Sequence, residues 1–379
     1  MRVVKNMRKC AKCLITEGKY NVVLNDKGIC NYCEAFEEDR EDILNLEKNN
    51  KYFLERIEKF KGKYEYDALV GISGGKDSSY ILYQLVNKYK LKVLSFTYDL
   101  GFLTDFSKNT IETLVKKTGV DHFYYKPKWE THKKLYKAAI ENFGDPCIAC
   151  AFVVFFSILR ISYERKIPFF IHGRTPYQMY KNYYKGTKDM FLSWMKLNLS
   201  EHSFEALAEA YRPANDMMRN FVTSISNTPE DAKEFLDEFF LESDQFSKEF
   251  TPEFLAYFLY ERYDMEKMQQ KLVDVFEWEE HPGESKLGHN DCILNAASSY
   301  LFKEFQGVDV LEREVATMIR FGDVDKEIAV KWIEASQPSQ VCLNKSMNKV
   351  CELCNCSSHD LDETIKRLKE KKIQMFGSR

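Results

Sequence analysis

Positive charge is not in surplus in this chain: 55 Lys and Arg stand against 58 Asp and Glu, a net charge of −3. That balance argues against a strongly basic nucleic-acid binder, although an average can mask a local patch. No run approaches the roughly 18 uninterrupted apolar residues of a membrane span. No apolar segment follows the Arg and Lys near the N-terminus, so no secretory signal is visible and a cytoplasmic protein is expected. Internal repeats and low-complexity segments are missing too. What is present is length, 379 residues, enough for one large or two ordinary domains. Aromatics reach 14 %, with 28 Phe and 22 Tyr, which predicts an aromatic-rich core. The 11 cysteines are odd in number and several form CxxC pairs. In an unsecreted chain that pattern points to metal rather than disulfides.

The most informative stretch is Ser73-Gly74-Gly75-Lys76-Asp77-Ser78-Ser79. It follows Tyr66–Ile72, a short apolar run that reads as a buried strand, and precedes Tyr80–Val86, whose apolar spacing fits a helix packed on a sheet. Strand, glycine turn and helix form a phosphate-binding arrangement. The glycines let backbone N–H groups approach an anion, and the helix start favours negative charge. The spacing is not that of the Walker loop. It matches SGGxDS and resembles the PP-loop ATP pyrophosphatase (adenine nucleotide alpha hydrolase) superfamily. That resemblance implies ATP, with Mg²⁺, held by its outer phosphates while a substrate oxygen attacks the alpha-phosphorus.

Along the chain, residues 1–40 read as a zinc-ribbon-like module. Cys10, Cys13, Cys30 and Cys33 form two CxxC pairs with sixteen residues between them, and a turn at Asn25–Gly28 stands before the second. Four thiolates around one Zn²⁺ would stabilise a piece too short to bury much apolar area. Residues 41–63 read as a charged helical connector. Residues 64–185 alternate strands (66–72, 91–98, 121–125, 167–173) with helices (106–118, 129–143, 151–165). The expected fold class is therefore α/β, a mostly parallel sheet with helices on both faces. Ligands bind beyond the carboxyl ends of such strands, which gathers Ser73–Ser79, Tyr98–Gly101 and Gly173–Pro176 at one crevice. Residues 186–277 read as an all-helical insertion or lid, with helix starts at Thr228-Pro229 and Thr251-Pro252. Residues 278–338 return to short helices, and 339–379 form a cysteine-containing tail.

Cys147-Ile148-Ala149-Cys150 opens a helix after Gly144-Asp145-Pro146, where thiol pKa values are lowered. Cys292 lies in a polar loop, Gly288–Cys292. Three converging thiolates would hold a [4Fe-4S] cluster with one open iron, or a metal with His289 as fourth ligand; ordinary buried thiols are the alternative. Cys351, Cys354 and Cys356, with Cys342, form a further candidate metal set.

Taken together, the cysteine module, the Tyr66–Tyr80 stretch, Asp145–Cys150 and Arg320–Ala329 resemble the N-acetyl sugar amidotransferase family of acetamidino-sugar biosynthesis. The resemblance covers roughly residues 8–180 and 278–335. It implies ATP-dependent conversion of an N-acetyl group on a bacterial surface sugar, such as pseudaminic or legionaminic acid, to an acetamidino group. By motif position Ser73, Gly74, Gly75, Ser78 and Ser79 would line the phosphates, Asp77 would orient the loop or Mg²⁺, and Lys76 fills the variable position. Tyr98 and Gly173 fall beside the nucleotide, and Arg174 would meet AMP or a sugar carboxylate. Arg2 stands where an N-terminal cysteine nucleophile would be needed, and no histidine has Glu two residues on. A separate glutaminase subunit is therefore the expected ammonia source. The rival expectation is sulfur transfer to tRNA or a small amide, using the cysteine-held cluster.

Overall fold

The computed structural model describes residues 8–143, 145–189, 197, 202–226, 228–242, 245–246, 248–279 and 291–376. Its centre is a five-stranded, wholly parallel sheet: β1 (Ala68–Gly71), β2 (Val93–Tyr98), β3 (Asp121–Tyr125), β4 (Phe169–His172) and β5 (Glu253–Ala256). The spatial order is β3-β2-β1-β4-β5. The chain therefore winds outward from β1 in one direction, then crosses to its other side. Between β1 and β4 the connections leave in opposite directions, which opens a crevice at the carboxyl ends of those strands.

The strands form where apolar runs are buried on both faces, as parallel sheets require. Leu69, Phe96, Phe169 and Ile171 are all at most 1 % exposed. The helices α4 (Lys76–Asn87) and α5 (Asp105–Thr118) pack on one face. On the other lies α7 (Cys147–Glu164), flanked by α6 (Trp129–Phe143). The α5 boundaries follow local chemistry: Thr104 caps the start by accepting from the Ser107 N–H, and Gly119 ends the helix at φ +67°. No described helix is long and apolar enough to cross a membrane.

One segment departs from its expected form. Thr251-Pro252 leads into β5, the fifth strand, rather than a helix, so residues 186–277 are not all-helical. Proline just before a strand costs no ladder hydrogen bond, and the run Phe254–Tyr260 is buried throughout. The edge of β5 is covered: the Phe254 N–H donates to the Tyr211 hydroxyl at 2.9 Å. Glu253, 1 % exposed, pairs with Arg56 of α3 (Leu46–Phe60) and accepts from the Tyr52 hydroxyl at 2.9 Å. The helix Phe204–Ile225, which carries Tyr211, and the connector helix together cover an edge that would otherwise invite pairing. Thr228-Pro229 does start a helix, Pro229–Phe239, with Thr228 as its cap.

A candidate nucleotide site and a candidate metal centre

The loop Ile72–Gly75 joins β1 to α4. Gly74 has φ +82°, and a Cβ there would meet the Ser107 carbonyl oxygen at 2.7 Å. Only glycine satisfies both constraints. Gly173, at the end of β4, approaches the start of α4 so closely that a Cβ would lie 3.3 Å from the Ser78 nitrogen. These two glycines leave an open cradle at a helix N-terminus, where free N–H groups and the helix dipole favour an anion. Internal bonds hold its shape. The Ser73 N–H donates to Ser78 Oγ at 3.3 Å, and the Ser78 hydroxyl donates to the Gly75 carbonyl at 3.2 Å. Thr97 Oγ1 donates to the Ile72 carbonyl at 2.7 Å.

Of the residues expected here, Ser73, Gly74, Gly75, Ser78 and Gly173 meet at the cradle. Ser79 turns inward: it is fully buried and its hydroxyl donates to the Gly75 carbonyl at 2.8 Å. Asp77 accepts from the Tyr263 hydroxyl at 2.9 Å. The Lys76 ammonium folds back to 3.4 Å from Asp77 and 5.9 Å from the centre of the Tyr263 ring. Tyr263 was not legible as a site residue, since it follows a buried aromatic run and looks like core. Arg174 is exposed at the rim, and its backbone N–H donates to His172 Nδ1 at 3.0 Å.

Beside the cradle, a cavity of about 270 Å³ opens at the carboxyl ends of β1, β2 and β4. Its lining includes Ser73, Tyr98, His172, Asp291, Cys150 and Cys292. The fold thus brings Tyr98 and two of the three suspected cysteines to the crevice with the loop. The Tyr98 hydroxyl bonds His132 Nε2 at 3.0 Å, and Tyr136 shares a hydrogen bond with the Cys150 thiol. Burial pushes the pKa of His132 down to about 3 and that of His172 to about 3 as well, the latter helped by Arg174. Both rings are neutral at pH 7.

The expected lowering of the thiol pKa values does not occur. Cys150 and Cys292, both half-buried, are each pushed up to about 12, first by burial and then by neighbouring thiols; Cys147 is exposed. Asp145 accepts from the Cys147 N–H at 2.9 Å, so a carboxylate sits where the helix dipole would otherwise act. The three sulfurs share this region without all lying within 4.8 Å of one another. His289 lies outside the described residues. Cys342 stands exposed near the start of the helix Gln340–Cys354, away from Cys351, Cys354 and Cys356 at its end, so it does not complete that set.

The N-terminal cysteines behave differently. Cys10, Cys13, Cys30 and Cys33 are buried, with all four sulfurs within 4.8 Å of one another. Cys10 and Cys33 are 3.9 Å apart, Cys13 and Cys30 3.6 Å. Tetrahedral Zn–S bonds of about 2.3 Å require sulfurs about 3.8 Å apart, so the donor set fits one such ion. The Lys12 and Cys30 N–H groups donate to Cys10 Sγ, at 3.4 and 3.3 Å. The expected turn is present: the Gly28 N–H returns to the Asn25 carbonyl at 2.9 Å, with Gly28 at φ +73°.

No protein-family model matches this chain, and no curated protein does. Among solved structures it is similar to the U34-tRNA thiolase NcsA from Methanococcus maripaludis with its [4Fe-4S] cluster. The two are 16 % identical with a TM-score of 0.36, over 92 % of this chain and 95 % of that one. A likeness this loose assigns no activity.

Proposed function

We propose that the chain is an ATP-dependent, AMP-forming enzyme that adenylylates an amide-type oxygen in the crevice. The observation that carries this reading is the pair of glycines, Gly74 and Gly173, leaving an anion cradle that opens beside a largely apolar cavity. The cradle would take the outer phosphates of ATP, with Asp77 holding the loop or a Mg²⁺ ion. A substrate oxygen attacks the alpha-phosphorus, the bond to pyrophosphate breaks, and the loop's N–H groups receive the growing charge.

For the acceptor, the sequence resemblance favours an N-acetyl group on a bacterial surface sugar. The amide oxygen leaves as part of AMP after ammonia adds to the carbon, which yields an acetamidine and releases a proton. Ammonia would come from a separate glutaminase subunit. The second reading is sulfur transfer, and what favours it is that Cys150 and Cys292 line the same cavity as Ser73. Three thiols set wider than one ion accepts suit a larger cofactor such as a [4Fe-4S] cluster, whose iron would bind sulfide. Cys147, Cys150 and Cys292 would hold it.

One experiment separates the two. Protein purified without oxygen is given ATP, an ammonium salt or sulfide, and an N-acetylated nonulosonic acid. Replacing the oxygen by NH lowers the product mass by about one unit, and replacing it by sulfur raises it by about sixteen. Absence of pyrophosphate release with either nucleophile, across amide substrates, refutes the adenylylation reading.

A further inference from the structure

Arg320 is 2 % exposed and lies at the end of the helix Glu312–Phe321. One nitrogen, Nη1, donates to Cys13 Sγ at 3.4 Å, and Nη2 donates to Thr317 Oγ1 at 2.6 Å. The guanidinium lies 5.6 Å from the centre of the Tyr32 ring. Among the described residues no carboxylate pairs with it. A guanidinium does not shed its proton in a protein, and a buried charge without a counter-charge is strongly disfavoured. Four neutral thiols supply none. Four thiolates around a divalent cation leave two net negative charges, and Arg320 offsets one of them.

The same helix is built into the nucleotide site. Its first residue, Glu312, accepts from the Thr16 N–H and hydroxyl at 2.8 and 2.9 Å, which clamps the cysteine module onto it. At its other end, the Phe321 ring packs against Phe36 of the module at 5.0 Å and against Tyr177 at 5.6 Å. Asp323 accepts from the Tyr177 hydroxyl at 2.9 Å. Tyr177 packs on Tyr263 at 5.4 Å, and Tyr263 donates to Asp77. A continuous packed path therefore runs from the four sulfurs to the glycine loop.

We propose that Arg320 is the buried counter-cation of a four-thiolate metal centre. Through it, metal occupancy holds the helix Glu312–Phe321 where Tyr177 and Tyr263 fix Asp77. Without metal the four-sulfur cluster that Arg320 faces is no longer held together, and the helix end loosens from the module. Only the last link, from Asp77 to nucleotide, rests on the function proposed above.

The test uses the full chain, with metal measured by elemental analysis and released to a chromophoric chelator. The parent is expected to carry one divalent ion at the module. Arg320→Met, which keeps the bulk and removes the charge, should release it about ten- to a hundredfold faster, the usual effect of losing a partner outside the ligand set. Arg320→Lys should fall between. Stripping metal from the parent should raise amide hydrogen exchange across residues 312–323 first, then around Tyr263 and Asp77; this arm stands even where Arg320→Met fails to fold. Release from Arg320→Met at the parent's rate, unchanged exchange at 312–323 after stripping, or a folded parent with four reactive, metal-free thiols would each overturn the proposal. Loss of exchange protection at 312–323 alongside absent ATP turnover in every preparation would uphold it and sink the adenylylation reading instead.

Discussion

Two regions of this molecule use cysteine in the same CxxC spacing and surround it with opposite chemistry. In the N-terminal module four sulfurs cluster, with two backbone N–H groups aimed at Cys10 and a buried arginine aimed at Cys13. Hydrogen bonding among the sulfurs pushes Cys10 and Cys13 toward the thiolate and Cys30 and Cys33 toward the thiol. At the cavity, Asp145 and Asp291 stand near three sulfurs that are set further apart, and burial pushes Cys150 and Cys292 toward the thiol. The module closes its four buried sulfurs into one set that fits a single ion. The cavity places Cys150 and Cys292 beside the glycine loop. A CxxC spacing establishes that two sulfurs are near each other; the groups around them decide what they do.

The sharpest way to test that division is at the cradle itself. Gly74→Ala should reduce ATP-dependent pyrophosphate release by about a hundredfold or more while circular dichroism stays native, because the new Cβ meets the Ser107 carbonyl. Next comes the direct contrast. Cys13→Ser should lose metal and about 3–5 kcal/mol of stability, since it strands Arg320. Cys150→Ser should cost about 1 kcal/mol, the scale of the Tyr136 hydrogen bond it weakens. Denaturant titration of the pair checks this, and equal losses would erase the division between a structural and a chemical set. Turnover of Cys150→Ser then adds a second answer: nitrogen transfer should persist and sulfur transfer should stop.

A smaller effect probes the loop's support. Tyr263→Phe removes the hydroxyl that holds Asp77 and should raise KM for ATP about three- to tenfold; steady-state kinetics with ATP varied would show it. The smallest is a pH effect at the cavity. His132 is 0 % exposed and its pKa is pushed down to about 3 by burial. The unfolded chain takes up this proton near pH of about 6.5. Its stabilising share is therefore complete above that pH and lost as pH falls toward about 3, with a slope of about 1.4 kcal/mol per pH unit. Urea midpoints measured from pH 7 to pH 4 should fall, and His132→Asn should flatten that fall.

Much of the α/β core was readable because its signals are local. The runs at 68–71, 93–98, 121–125 and 169–172 are apolar or β-rich and bounded by turns, and Gly74 announces a backbone conformation few other residues adopt. Residues 251–256 misled because Thr-Pro-Glu opens a helix or leads into a strand equally well. The vacant edge of β4 settled the matter, and that edge exists only after folding. Tyr263 and Arg320 were illegible as supporting residues for the same reason. Their partners, Asp77 and Cys13, lie 186 and 307 positions away.

By itself, the order of residues determined the glycine loop, the strand-helix alternation and the four-cysteine module, since each depends on neighbours within a few dozen positions. Only the tertiary structure decided which sulfurs cluster, which tyrosine grips Asp77 and where the fifth strand lies. Those outcomes follow from burial and from distances between remote residues, which spacing along a chain does not encode.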